Sequence, residues 1–294
     1  MNELALALYT GLVLGAIYAL MALGFTLVYG ALRFLNLALG SLFTLGGYVA
    51  WVIAGQLGLS PVLGLIGAFV LVSLVGALIY QVAVRPLVGR PGWEIATIIG
   101  TLGVGLVIQQ LIQIIWGPRN QAIPQFIGGG FHLGDVLVVQ YQRLAIVGVC
   151  LVVLLALGLF LTRTRYGLAV RAVAQNRDAA YLTGISVHRV FMLVMALSAG
   201  LAALSGVLLS TILISLNPTV GLTYGLRGLV VTIFGGLGSI VGTLYAAFII
   251  GLFEAFVSVY FGEGWKLPAL FVFLILVLAV RPAGIAGIAE ETRV

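Results

Sequence analysis

Few side chains in this sequence are suited to chemistry, and they are scattered along the chain. The candidates are His132, His188, Cys150, Lys266 and Glu254. Hydrolytic and metal-dependent enzymes bring such groups together in patterns such as His-Glu-x-x-His or Gly-x-Ser-x-Gly, and neither pattern occurs here. Lys266 follows Gly-Glu-Gly-Trp, which is not a phosphate-binding loop. The sequence therefore predicts no catalytic residue, no metal site and no cofactor of its own, and it disfavours a membrane-embedded enzyme.

One of these groups, Glu254, lies inside a long apolar segment. A carboxylate at membrane depth costs a few kcal/mol, so it is a functional candidate by default. Two simpler alternatives are a position near the outer interface and a neutral carboxyl group bonded to a helix neighbour. A proton-coupled carrier usually has several such groups along its path, so this single residue gives little support to that mechanism.

The composition indicates the kind of fold that must position these groups. Of the 294 residues, 62% are hydrophobic and only 7% are charged, whereas soluble proteins carry about 25% charged residues. Apolar runs of about twenty residues, the length that crosses a bilayer as a helix, recur along the chain. We therefore predict an all-α, polytopic transmembrane helix bundle of about eight or nine spans, in a single domain over residues 1–294. The apolar segments are 4–30, 35–54, 61–84, 95–115, 144–162, 191–213, 226–240, 242–261 and 267–281.

The basic residues predict the orientation, because cytoplasmic loops are enriched in Lys and Arg. If the N-terminus is outside and each segment crosses once, ten basic residues lie inside and four lie outside. The inner set is Arg33, Arg85, Arg90, Arg163, Arg165, Arg171, Arg177, Arg189, Arg281 and Arg293, and the outer set is Arg119, Arg143, Arg227 and Lys266. The prediction is a bacterial cytoplasmic-membrane protein with its N-terminus outside and its C-terminus inside. This arginine bias explains the net charge of +6 better than nucleic-acid binding does.

The seventh segment, 226–240, is too short to cross alone. At 1.5 Å per residue it spans about 22 Å of a hydrocarbon core of about 30 Å. It either forms one broken unit with the eighth segment or re-enters from one side, and both occur where unwound backbone lines a cavity. Its Leu237-Gly238-Ser239-Ile240 resembles Leu39-Gly40-Ser41-Leu42 in the second segment. This similarity is either a pair of path-lining elements or a chance match.

Two polar connections are long enough to hold structure. The outer loop 116–143 contains Pro118, Pro124 and a possible strand at Val136–Val139. We expect it to cap the helix ends, and a docking surface for an extracytoplasmic protein is the alternative. The inner loop contains a predicted polar helix, Gly167–Thr183, ended by Gly184. This helix either lies on lipid phosphates or docks into a cytoplasmic partner and transmits its motion.

Within the inner loop, Asp178-Ala179-Ala180-Tyr181-Leu182-Thr183-Gly184 resembles the Glu-Ala-Ala-x-x-x-Gly coupling loop of ABC importer permeases. Further motifs resemble the branched-chain amino acid ABC permease family. They are the stretch GLVLGAIYALMALGFTLVYG from Gly11 to Gly30, Arg33-Phe-Leu-Asn36, Arg85-Pro-Leu87, the run Arg163–Asn176, Gly235-Gly-Leu-Gly-Ser239 and Arg281-Pro-Ala-Gly284. These motifs cover nearly the whole chain in the family's order.

The resemblance implies a machine of several parts. This chain would pair with a second, similar permease, two cytoplasmic ATPases that bind the ATP, and an extracytoplasmic solute-binding protein. A predicted coupling helix at about 167–184 would contact an ATPase through Arg171, Asn176, Asp178, Ala179, Ala180 and Gly184. A path for a small-molecule substrate would be lined by Asn36, Ser41, Thr44 and Ser239 with backbone at Gly236 and Gly238.

The sequence departs from the family at one place that bears on the substrate. The family commonly has Ala-His-Gly and an acidic residue after the Asn36 position, whereas this chain has Ala38-Leu39-Gly40-Ser41. Relatives carry branched-chain amino acids, other amino acids, short amides or urea. A stand-alone secondary carrier or channel for small polar solutes is the alternative function.

Overall fold

The computed structural model describes residues 2–121, 127–133, 137–213 and 215–287, and it confirms the predicted helical bundle. Within these ranges the chain forms eleven α-helices and one hairpin. The helices are α1 (Asn2–Leu32), α2 (Leu39–Trp51), α3 (Pro61–Ile79), α4 (Trp93–Trp116), α5 (Tyr141–Arg163), α6 (Arg165–Gln175), α7 (Arg177–Leu182), α8 (Val187–Leu213), α9 (Val220–Gly235), α10 (Ile240–Phe261) and α11 (Lys266–Val280). Single π-helical turns at Val52–Gln56 and Tyr80–Val84 extend α2 and α3.

Eight helical segments of the described chain are long and apolar enough to span a membrane. The ninth predicted segment corresponds to α9, which has 16 residues and is too short. The predicted bounds 226–240 are wrong, because α9 begins at Val220 and ends at Gly235. A turn over residues 236–239 then separates α9 from α10, and Ser239 caps α10 by accepting a hydrogen bond from the Gly242 N–H at 3.2 Å.

Basic residues collect at one end of the bundle. Contacts place the end of α1, the α3–α4 connection, α6–α7 and the α9–α10 turn together at that end. Of the ten arginines predicted to lie inside, six are in these elements: Arg33, Arg85, Arg90, Arg165, Arg171 and Arg177. Arg163 ends α5, Arg189 is in the first turn of α8, Arg281 follows α11, and Arg293 lies outside the described residues. Arg227 contradicts the prediction. It lies within α9 and is 7% exposed, so it belongs to neither surface.

Two helix pairs are broken within the depth of the bundle. After α1 ends at Leu32, residues 33–38 run back inward before α2 begins, and the Leu37 N–H bonds to the hydroxyl of Thr101 a third of the way along α4. The predicted segment 35–54 is therefore helical only from Leu39. Asn36 forms a turn just before this start, because its side-chain oxygen accepts the Ala38 N–H at 3.1 Å.

The second break separates α8 from α9 and brings the chain to the first turn of α2. Leu216, in the connection between them, is fully buried and forms an isolated backbone bridge with Gln121. The first turns of α2 and α9 then meet at Gly40 and Gly221. A Cβ atom on Gly40 would lie 2.6 Å from the Gly221 carbonyl oxygen, so this approach requires glycine. The Leu39-Gly40 turn of α2 thus packs against Val220-Gly221, whereas Leu237-Gly238 lies in the turn between α9 and α10.

Long packed helices hold the breaks in place. The backbones of α1 and α10 approach closely at Gly15, where an added Cβ would lie 2.9 Å from the Phe248 ring. The core between α1, α2 and α8 contains mostly aliphatic side chains. In contrast, α4, α5 and α11 leave most of their apolar surface uncovered.

The outer loop contains a two-stranded antiparallel hairpin, β1 (Gly130–Leu133) with β2 (Leu137–Gln140), in which Gly130 pairs with Gln140. The predicted strand at Val136–Val139 is confirmed with a shift of one residue, and Val136 itself lies outside the described residues. The hairpin leads directly into α5, and Gln140 accepts a hydrogen bond from the Tyr9 hydroxyl at 3.3 Å. This contact ties the hairpin to the start of α1.

Candidate functional site

The predicted inner helix Gly167–Thr183 is two helices rather than one. Asn176 has extended backbone angles of −152° and 112°, and it separates α6 from α7. Its side chain accepts the Ala179 N–H at 3.0 Å and so caps α7. The prediction that Gly184 ends the helix is confirmed, with φ at +83° and the Ile185 N–H bonded to the Ala180 carbonyl.

The six residues predicted to contact an ATPase do not share one face. Arg171, Asn176, Asp178, Ala179 and Gly184 are exposed, whereas Ala180 is 4% exposed and packs into the bundle. Ala179 and Ala180 therefore lie on different faces of α7. The exposed tip of α7 consists instead of two large apolar side chains, Tyr181 at 72% exposure and Leu182 at 85%.

Arg177 anchors this tip to the membrane helices. The sequence places it among the exposed polar residues, but its guanidinium lies 5.0 Å from the Trp93 ring centroid and 5.1 Å from that of Phe191. These rings belong to α4 and α8, so one side chain joins α7 to two membrane-spanning helices. A guanidinium between two aromatic faces is a favourable cation–π arrangement.

The contacts continue from Arg177 to the start of α2. Trp93 packs edge-to-face on Phe34, with centroids 6.2 Å apart. Phe34 lies in the break after α1, two residues before Asn36, whose amide N–H groups face Met195 Sδ at 3.7 Å. Packed side chains thus connect α7 to the residues just before α2.

A second cluster places ionised groups inside the bundle. The Arg227 Nε atom on α9 lies 3.0 Å from Glu254 Oε1 on α10, an ion pair that is not aligned as a hydrogen bond. The Tyr18 hydroxyl on α1 donates to Glu254 Oε2 at 2.5 Å. The guanidinium also lies 4.5 Å from the Tyr224 ring centroid. Glu254 is 1% exposed and its partners lie on α1 and α9, so it is not bonded only to its own helix.

Two cavities lie next to the helix breaks. The larger, of about 750 Å³, opens at the basic end between α1, α6 and the α9–α10 turn. Its wall includes Arg33, Arg171, Gln175 and Ser239. The smaller, of about 120 Å³, is a crevice between α2, α4 and α9 beside the meeting point of Gly40 and Gly221.

The six residues predicted to line a path fall into four groups. Ser41 lines the crevice, whereas Gly238 and Ser239 line the basic-end cavity. Asn36 and Thr44 are buried in helix contacts, where the Thr44 hydroxyl donates to the Gly40 carbonyl at 3.4 Å. Gly236 packs against the backbone of Gly287, with φ at +99°. The six residues do not form one continuous surface in this chain.

A polytopic bundle with broken helices beside cavities, and a short helix pair at its basic end, defines a membrane transport subunit. Among known families, the model described as "Branched-chain amino acid transport system / permease component" matches residues 7–280. The chain belongs to this family.

Curated relatives cover nearly the whole length. The chain is 33% identical to the high-affinity branched-chain amino acid transport system permease protein BraD of Pseudomonas aeruginosa, over 98% of this chain and 97% of that protein. It is 30% identical to the probable branched-chain amino acid transport permease protein LivH of Methanocaldococcus jannaschii, over 92% of this chain and 88% of that protein. Among solved structures, PsaBC from Streptococcus pneumoniae in complex with Fab has a similar fold, with a TM-score of 0.51 at 17% identity over 96% of this chain and 93% of that one.

Sequence reasoning missed several residues that the fold brings to these sites. Arg177, Tyr181 and Leu182 were not assigned roles because their orientation depends on tertiary packing. The sequence analysis counts Arg227 with the outer basic residues, although a basic and an acidic residue in consecutive apolar segments are a signal for a buried pair. Gln109, on the wall of the crevice, has no sequence pattern that distinguishes it from Gln110.

Proposed function

We propose that this chain is a transmembrane permease subunit of an ATP-binding-cassette importer that moves branched-chain or related amino acids across the bacterial cytoplasmic membrane. A second permease, two cytoplasmic ATPases and an extracytoplasmic solute-binding protein complete the importer. The relatives are named for branched-chain amino acid transport, which supports this substrate class. ATP is bound by the ATPases, and the N-terminus of this chain lies outside.

The observation that carries the coupling part of the proposal is the arrangement of α7. Its tip exposes Tyr181 and Leu182 at the basic end, and its base is held by Arg177 between Trp93 and Phe191. An apolar tip in water is a feature of an interaction surface. When the ATPases close on ATP, a force on this tip reaches α4 and α8 directly and α2 through Phe34.

The transport step follows from the two breaks. Non-helical backbone at membrane depth is tolerated where it is buried in protein or lines a cavity, and both breaks meet these conditions. The first turns of α2 and α9 are joined at glycines, so a small rotation of either helix changes the space beside them. Transport then proceeds by alternating access, in which the crevice and the basic-end cavity open in turn.

The test is reconstitution of the chain with its candidate partners in liposomes. Leucine uptake that requires ATP, the ATPases and the binding protein is the expected result. Uptake by the isolated chain under an ion gradient would instead support the stand-alone carrier. Replacement of both Tyr181 and Leu182 by Ser is expected to weaken ATPase retention during purification, whereas Tyr166→Ser, at a similarly exposed aromatic on α6, is the matched control.

A further inference from the structure

The crevice between α2, α4 and α9 has a wall that is almost wholly apolar. Leucines of α4 and α9 form its sides, and Phe25 of α1 closes its base. The edges of the crevice are exposed, since Leu106 is 57% and Leu222 is 59% accessible. In this chain alone it therefore opens sideways from the bundle.

Two polar side chains interrupt this wall. Ser41 is in the first turn of α2 and Gln109 is on α4, and both are partly exposed. In the part of the chain that the structure describes, neither side chain has a hydrogen-bond partner. Their hydroxyl and amide groups are free to bond to a solute, while the leucines beside them offer only apolar contact.

We propose that this crevice is a contact site for the imported solute, an α-amino acid with an aliphatic side chain, and that the second permease closes its open side. The inference rests on the proposed function and assigns the substrate class to a place in this chain. The volume of about 120 Å³ suits one aliphatic side chain rather than a whole solute. The solute's ammonium or carboxylate group then bonds to Gln109 and Ser41, because a few placed polar groups in an apolar wall fix orientation.

The position of the crevice supports this assignment. It adjoins Gly40 and Gly221, where the two broken helix pairs meet within the bundle, and solute sites of membrane transporters are commonly found at such breaks. Because the wall carries no ionised side chain, a solute with a charged side chain would lose its hydration without a partner. The crevice thus favours leucine over aspartate or lysine.

Cysteine accessibility in the assembled importer tests the site. The single native cysteine is removed as Cys150→Ser, and Ser41→Cys or Gln109→Cys is introduced. Val107→Cys on the opposite side of α4 is the control, because its side chain is 58% exposed but does not line the crevice. We expect a small cationic thiol reagent to modify positions 41 and 109, saturating leucine to slow both reactions at least threefold, and aspartate to leave them unchanged.

Other occupants give different results and would overturn the proposal. Modification only in the isolated chain would indicate that a helix of the second permease fills the crevice. Modification only by a lipid-soluble maleimide would indicate that lipid fills it. A wild-type assembly that moves no leucine would overturn the proposed function itself, whereas normal wild-type uptake with unreactive cysteines would overturn this inference alone.

A filling variant provides a second measurement. Leu106→Trp is expected to lower leucine uptake more than tenfold while the complex still assembles and hydrolyses ATP, because the indole occupies the crevice. Val107→Trp should keep uptake within twofold of the unmodified importer. Equal uptake by both tryptophan variants would contradict the proposal.

Discussion

Arg227 and Glu254 form an ion pair across α9 and α10, with 3.0 Å between Nε and Oε1, and both side chains are almost completely removed from solvent. Since Tyr18 donates to the same carboxylate, the pair joins three helices. An isolated charge in such a place is costly, so each partner depends on the other.

Loss of either partner should destabilise the protein strongly. Glu254→Leu or Arg227→Leu leaves an unpaired buried charge, and we expect each to lower the free energy of unfolding by about 3–5 kcal/mol. The double variant Arg227→Leu with Glu254→Leu should recover most of this loss. Thermal unfolding in detergent measures all three.

The pair between Lys266 and Glu263, at 2.7 Å, is the control, because the Glu263 carboxylate lies in solvent although the Lys266 side chain is only 14% exposed. Glu263 is 78% exposed in its side chain, so Lys266→Leu should change stability by only about 0–1 kcal/mol. A double variant at 227 and 254 that remains as unstable as the single variants would contradict the ion-pair explanation.

Substitution of Arg177 should lower leucine uptake much more than it lowers ATP hydrolysis. In Arg177→Leu the contacts to Trp93 and Phe191 lose their cationic partner, so α7 still docks but its movement reaches α4 and α8 poorly. We expect leucine uptake to fall about tenfold while ATP hydrolysis changes by less than twofold. The ratio of leucine imported to ATP hydrolysed is the measurement.

Arg165→Leu controls for loss of positive charge near the same surface, because Arg165 is exposed at the start of α6. It should leave the ratio unchanged. A parallel fall of uptake and hydrolysis in Arg177→Leu would indicate a folding defect instead of a loss of transmission.

The same substitution should have opposite effects at two glycines. Gly40→Ala places a methyl group 2.6 Å from the Gly221 carbonyl oxygen, so we expect a loss of about 1–3 kcal/mol from overpacking. Gly148→Ala on α5 meets no atom within 4 Å and should gain about 0.5–1 kcal/mol from its better helix propensity. Unfolding temperatures of the two variants test the contrast. Equal shifts would show that the α2–α9 contact is looser than described.

The turn at Asn36 should depend on its hydrogen bond to the backbone. Asn36→Asp keeps an oxygen that can accept the Ala38 N–H, whereas Asn36→Leu removes it and should cost about 1 kcal/mol. Because Asn36 is fully buried, the Asp variant is compared at low pH, where its carboxyl group is protonated and still has an accepting oxygen. Stability of Asn36→Leu equal to that of the unmodified protein would refute the role of this hydrogen bond.

The long apolar helices were predictable because a bilayer imposes one length and one composition on every span. The arginine bias was predictable because cytoplasmic loops of membrane proteins are enriched in Lys and Arg. The inward course of residues 33–38 was not, because it depends on hydrogen bonds that the sequence pattern does not reveal: Asn36 Oδ1 accepts the Ala38 N–H, and the distant Thr101 hydroxyl accepts the Leu37 N–H.

The helical inner segment at 167–183 was predictable in its position along the chain, but the directions of its side chains were not. Its helix-ending Gly184 has a local cause, namely a positive φ that glycine adopts freely. The inward turn of Ala180 and Arg177 depends on rings of α4 and α8, which lie far away in sequence. The roles of such residues can be assigned only once the folded bundle is known.

The short α9 has a consequence for how the protein is made. During synthesis its 16 residues leave the ribosome before α10 does. On its own, α9 is too short to act as a stop-transfer segment. An arginine near the centre of a span also opposes partitioning into lipid, by about 2.5–3.5 kcal/mol. Since Glu254 on α10 supplies the counter-charge to Arg227, we expect α9 to insert stably only together with α10, as a helical hairpin.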